Sequence, residues 1–126
     1  MSGGLTLDTG ALIAFERADR FVVSLLSRAL QLRLEVAVPA GAVAQAWRDG
    51  RRQARLARLL GSEGIHIEPL DDRRARAAGQ LCGVTGTRDI DDASVALCAR
   101  GRGHSVATSD VPDLRRLDAK LRLIAV

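Results

Sequence analysis

The sequence predicts an α/β fold of three layers, a mostly parallel five-stranded sheet flanked by helices. Short apolar runs alternate with helical patterns along the whole chain. The runs are apolar enough to be covered on both faces. No linker, internal repeat or low-complexity stretch interrupts the order, so residues 1–126 read as one domain.

The elements follow in sequence. LTLD (5–8) is a strand ending on an acid, and ALIAFE (11–16) turns helical. Residues 19–32 place Phe21, Leu25, Ala29 and Leu32 at helical spacing behind an Asp19 N-cap. LEVAVP (34–39) is a β-branched strand stopped by Pro39. AGAVAQAWRDG (40–50) and RRQARLARLL (51–60) read as two helices, the second ended by Gly61. IHIEPL (65–70) alternates as a third strand, and residues 71–84 form a helix with an acidic start. After the loop TGTRD, IDDASVALCAR (90–100) is an apolar-faced helix closed by Gly101 and Gly103. SVATSD (105–110) and LRLIAV (121–126) are the last strands, joined by a short helix with Pro112 in its first turn.

Composition narrows the function. Hydrophobic residues make up 47% and aromatics 2%, so Ala, Leu, Val and Ile build the core. At 126 residues, such a chain buries roughly two thirds of its unfolded surface. Net charge is +4, and every basic residue except Lys120 is an arginine. A basic, arginine-rich surface suits phosphate, because the guanidinium fork donates two hydrogen bonds at once. Cys82 and Cys98 fit no zinc or redox spacing and read as buried thiols. No apolar run reaches the ~20 residues of a membrane span, and no signal peptide is visible, so a cytoplasmic protein is expected.

Asp8-Thr9-Gly10 matches the tripeptide of aspartic proteases. Those enzymes set it in an all-β fold, whereas here helix follows it. The acids have another logic. LTLD ends at Asp8, SVATSD ends at Asp110 with Asp113 three residues on, and Asp89, Asp91 and Asp92 open a helix. In a parallel sheet, strand ends and the first turns of following helices share the ligand-binding edge. Each acid also has a plainer role. Asp8, Asp89 and Asp110 suit helix N-caps, and Asp92 suits a helix first turn. Converged carboxylates, however, resist ionising together unless a cation joins them. Oxygen ligands select Mg²⁺ or Mn²⁺, and no His or Cys cluster competes for the role.

The order LTLDTGALIAFE, VPAGAVAQAWR, DIDDASVALCAR, SVATSDVPDLRRL resembles the PIN-domain ribonucleases, specifically the VapC toxins of bacterial VapBC toxin–antitoxin pairs. The resemblance runs from Leu5 to Val126. It implies a PIN-like fold and a Mg²⁺- or Mn²⁺-dependent endoribonuclease toxin, acting on structured RNA such as tRNA or rRNA. It further implies inhibition by a VapB-type antitoxin, and a homodimer is expected. On this match Asp8, Asp89, Asp92, Asp110 and Asp113 are the catalytic acids, with Asp8, Asp92 and Asp110 as metal ligands. Thr9 and Ser109 flank the strand-end acids as water-orienting groups, or else make local turn hydrogen bonds. Asp91 has no counterpart and is expected to face solvent. Gln45 stands where the family has Glu, so Gln45→Glu is expected to tighten metal binding. That neutral residue also favours an alternative, a catalytically weak PIN-like module that binds RNA or protein.

Arg48, Arg51, Arg52, Arg55 and Arg58 form a stripe at helical spacing. It reads as phosphate contact with RNA, or as a solvated face. Trp47 is expected in the core or an interface, and His66 and His104 in structural roles.

Overall fold

The computed structural model describes residues 3–126. Five parallel strands form one sheet in the order β3-β2-β1-β4-β5. They are β1 (Leu5–Leu7), β2 (Val36–Pro39), β3 (Ile65–Glu68), β4 (Ser105–Thr108) and β5 (Leu123–Ala125). The α1 (Thr9–Glu16), α2 (Arg20–Gln31), α3 (Ala40–Ala46) and α4 (Ala54–Leu60) helices come before β3 in the chain. The α5 (Asp72–Thr85), α6 (Ile90–Arg102) and α7 (Val111–Leu117) helices come after it. The predicted five-stranded α/β fold is therefore present.

Two cores flank the sheet. Leu5, Leu7, Val36 and Val38 pack with Leu12, Val22, Leu26, Leu56 and Leu59 on one face. Val106 packs with Ala78, Cys82, Val95, Ala96, Ala99 and Leu114 on the other. Strand alternation explains the split: Leu5 and Leu7 join the first core, whereas Thr6 turns to the opposite face. With almost no aromatics to fill space, small side chains such as Ala93, Ala96 and Ala99 let α6 lie close against the strands.

On that second face Thr6 is fully buried. Its hydroxyl meets His104 Nδ1 at 2.9 Å, and His104 Nε2 meets Glu35 at 2.9 Å. Arg102 closes the group on Glu35 at 2.8 Å and Glu68 at 3.3 Å. Burial lowers the pKa of His104, with Glu35 pulling the other way. His104 is thus structural, as expected, while His66 lies exposed on the edge strand. His104→Ala leaves the Thr6 hydroxyl with only the weak Cys98 Sγ acceptor at 3.8 Å. The expected cost is about 1–3 kcal/mol, read as a lower denaturant midpoint. Cys82 and Cys98 are buried free thiols, and burial pushes Cys98 up to about 11.

Four details differ from the sequence reading. The buried stripe of α2 is Val22, Leu26 and Ala29, whereas Phe21 and Leu32 are exposed. Ala29 lies in both stripes and Leu25 packs partly buried against the same core, so the difference lies at the ends of the helix, where Val22 and not Phe21 is buried. Gly101 lies inside α6, and Gly103 alone ends it, at φ 69°. Trp47 is not in the core: it is 37% exposed.

The fourth difference concerns the arginines. The predicted helix 40–50 stops at Ala46, and the next begins at Ala54. The side chain of the buried Gln53 explains the break. Its Oε1 accepts from Arg48 N at 2.7 Å and Asp49 N at 2.9 Å, and its Nε2 donates to Ala46 O and Glu16. These bonds take the place of helical ones. Arg48, Arg51, Arg52 and Arg55 therefore do not form one helical stripe. Arg48 donates to Ala44 O and Trp47 O at the end of α3. Arg55 lies over the Phe15 ring at 6.0 Å. Arg51 and Arg52 project from the turn, 95% and 89% exposed, each 3.8 Å from Asp49.

Candidate metal centre

β1 has β2 on one side and β4 on the other. The chain winds outward in opposite directions from these two central strands, so their carboxyl ends border a crevice. Asp8 follows β1, Ser109 and Asp110 follow β4, and the first turn of α6 faces them. Together with Thr9, Gly10, Ile13, Gln45, Asp89, Asp91 and Asp92 they line a cleft of about 320 Å³.

Asp8 is buried, and both its oxygens hold backbone. Oδ1 accepts from Ala11 N at 2.8 Å, capping α1. Oδ2 accepts from Ser109 N at 3.1 Å, tying β1 to the turn after β4. The capping role read from the sequence is therefore real, and it coexists with a place in the cleft. Gly10 permits this closeness: a Cβ there would run into the Ser109 side chain.

Asp89 caps α6, its Oδ1 accepting from Asp92 N at 2.9 Å. Asp110 precedes α7 without a side-chain cap bond, so its carboxylate is free for other work. Asp92 is 8% exposed, and its Oδ2 has no hydrogen-bond partner. Oxygens of Asp89, Asp92 and Asp110 lie within 4.8 Å of one another. Burial pushes the Asp92 carboxyl up to about 8, and the carboxylates of Asp110 and Asp89 push it the same way. Asp113 is exposed outside the cleft, and neighbouring Asp110 raises its pKa.

This geometry fits a hard divalent cation. A buried carboxylate oxygen without a donor is costly, and two more acids face it. A cation would satisfy the orphan oxygen and cancel the mutual repulsion. Among the described residues Asp89, Asp92 and Asp110 form the tight group; Asp8 lines the same cleft outside it, and Asp113 stands apart. Thr9 and Ser109 both line the cleft.

Asp91 departs from expectation. It is half-buried, and its Oδ2 accepts a 2.7 Å hydrogen bond from Gln45 Nε2. The Gln45 amide is thus committed to Asp91, and a Glu at 45 would set two carboxylates against each other in its place. Helical phase alone gives no sign of this pairing, because the partners are 46 residues apart. Gln53 carries no sequence signal either; flanked by arginines, it reads as one more surface polar residue.

Cleft size does not mark the site. A larger hollow of about 560 Å³ lies at the other end of the strands, beside Gly103 and His104. Its Arg100 and Asp118 are paired with each other at 2.9 Å, and no group of carboxylates converges there.

Solved structures share the whole architecture. VapBC2 from Rickettsia felis bound to a promoter DNA fragment matches at 16% identity, with TM-score 0.70, over 97% of this chain and 98% of that one. FitAB bound to an IR36 DNA fragment matches at 18% identity, with TM-score 0.66, over 96% and 94%. FitAcB from Neisseria gonorrhoeae matches at 20% identity, with TM-score 0.62, over 95% and 96%. No curated protein matches the chain. The PIN domain family matches residues 5–120, which takes in both central strands, the cleft between them and every acid that lines it. With nearly its full length covered by that match, this chain belongs to the PIN domain family.

Proposed function

We propose that the chain is a VapC-type toxin, a Mg²⁺- or Mn²⁺-dependent endoribonuclease restrained by a VapB-type antitoxin. The observation that carries the reading is the orphan Asp92 Oδ2 among the oxygens of Asp89 and Asp110, at the switch point of the sheet.

Asp92 and Asp110 would hold the cation, with Asp89 beside them and Asp8 supporting from the β1 end. When bound, such a cation supplies an activated water and neutralises charge growing on the phosphate. The residues of the chain do the rest. Asp8 fixes the relative position of α1 and the Ser109 turn through its two backbone hydrogen bonds. Thr9 and Ser109 offer hydroxyls at the cleft wall to orient water. Asp113 adds negative charge near Asp110 at the rim.

RNA would reach the cleft across a basic surface. Arg51 and Arg52 are the exposed cations of the turn that follows α3, the helix bearing Gln45. Arg48 and Arg55 are partly engaged and would contribute less. With few aromatic platforms, recognition would lean on backbone charge and RNA shape. The antitoxin assignment draws on the likeness to VapBC2, and a basic chain with an acidic cleft gives one partner two complementary surfaces. A homodimer in the cytoplasm belongs to the same reading. Among the described residues no helix is long and apolar enough to cross a membrane.

A second reading, a PIN-like module that binds without cutting, is favoured by the neutral Gln45. One experiment separates them. Antitoxin-free protein incubated with tRNA and rRNA should cleave with Mg²⁺ or Mn²⁺ and stop with EDTA. RNA binding without any cleavage favours the second reading, and undiminished cleavage in EDTA rejects the metal mechanism.

A further inference from the structure

Asp91 is the one acid of the cleft that the scheme above leaves unused. It precedes Asp92 in α6, and successive helix positions point about 100° apart. Asp92 therefore faces Asp89 and Asp110, while Asp91 faces α3. There two residues receive it. Gln45 Nε2 donates to Asp91 Oδ2 at 2.7 Å. A Cβ added at Gly41 would lie 2.5 Å from Asp91 Oδ1, so an alanine there would have to push that oxygen aside. Gly41 and Gln45 are four residues apart in α3, on one face of the helix. One face of α3 thus offers a donor and an empty seat to a single carboxylate.

The nature of the donor matters. Among the described residues no basic side chain pairs with Asp91. An arginine at 45 would cancel the charge, and a glutamate would repel it. A neutral amide orients the carboxylate and leaves its charge to the cleft that Asp91 and Asp92 both line.

We propose that Asp91 is the α3-side acid of the cation site, and that Gln45 and Gly41 are positioning residues that hold its carboxylate against the α3 wall of the cleft. This rests on the metal-dependent reading of the cleft. Asp91 stands outside the tight group of Asp89, Asp92 and Asp110. It would act on a bound cation through its charge rather than as a direct ligand.

The test is calorimetric titration of the full-length, partner-free protein with Mn²⁺. Asp91→Asn keeps the shape and the bond from Gln45 but removes the charge; affinity should fall about tenfold. Gly41→Ala should fall in the same direction, because the new methyl displaces the carboxylate. Its metal-free melting temperature should not drop, since alanine favours the helix and the half-buried Asp91 carboxylate, at the end of a flexible side chain, can swing away. Gln45→Ala should weaken binding a few-fold alone and add nothing to Asp91→Asn, the signature of action through one group. Asp92→Asn serves as the reference and should lose binding. If Asp91→Asn and Gly41→Ala titrate like the wild type while Asp92→Asn fails, Asp91 is an ordinary surface acid and the proposal falls alone. If Asp92→Asn also titrates like the wild type, the metal reading of the cleft falls, and this proposal with it.

Discussion

Asp92→Asn is expected to end RNA cleavage and, in the same molecule, to stabilise the metal-free fold at pH 8. The two effects share one cause. Asp92 is buried with an unpartnered oxygen beside Asp89 and Asp110, and its carboxyl is raised from 3.8 to about 8. A raised carboxyl means that the folded state keeps a proton the unfolded chain has released. Stability of the metal-free protein therefore falls as pH rises from about 4 toward 8. A tenfold change in proton affinity corresponds to ~1.4 kcal/mol, so the relief in Asp92→Asn at pH 8 is on the order of 2–5 kcal/mol. The asparagine amide can also donate to the neighbouring acids. On the proposed reading the charge that burial opposes is the charge that would hold the cation, and its loss should lower cleavage on the order of 100-fold or more. Thermal melts in EDTA from pH 5 to 8 check the first effect: the wild type should lose stability relative to the mutant as pH rises, beyond the pH dependence that His104 and Asp113 give both proteins. A mutant that declines in parallel with the wild type would place the pH dependence elsewhere.

Asp8→Asn should also end cleavage, with the opposite effect on stability. Both Asp8 oxygens accept backbone N–H groups, from Ala11 and from Ser109. Asparagine serves well as an N-cap, so the bond at Ala11 survives. Its second position is then an NH₂ group facing the Ser109 N–H, donor against donor in a buried site. The expected cost is about 1–3 kcal/mol. The link between β1 and the turn after β4 loosens, and that link sets where Asp110 stands. Denaturant melts at pH 7 paired with cleavage assays read both consequences. A stable but inactive Asp8→Asn would mean that the Ser109 bond contributes little and the loss is purely one of charge.

The contrast between Asp8 and Asp92 marks what the sequence makes legible. Both are recognisable by position: Asp8 stands where an apolar run meets a helix start, Asp92 in the first turn of an apolar-faced helix, and a parallel sheet brings such points to one edge. Their division of labour is not legible. Whether a carboxylate caps a helix, faces other acids or does both depends on contacts made across about a hundred residues of chain. Asp91 shows the same limit more sharply. Its helical phase points away from the other acids, and only the arrival of α3 gives it Gln45 and the seat over Gly41. The arginine stripe fails for a local reason: the Gln53 side chain supplies hydrogen bonds that end α3, and propensity does not register a side chain acting as backbone. At the start of α2 the buried residue is Val22 and not Phe21, because both are apolar and only the packing against the sheet chooses between them.

On the metal-dependent reading proposed above, a divalent cation would sit between Asp92 and Asp110 with Asp89 beside them. Anomalous diffraction from crystals soaked in Mn²⁺ tests it most directly. The account predicts a manganese peak within coordination distance of the Asp92 and Asp110 carboxylates, absent in crystals of Asp92→Asn. No peak in the cleft under conditions where the same protein cuts RNA, or a peak that persists in Asp92→Asn, would contradict it.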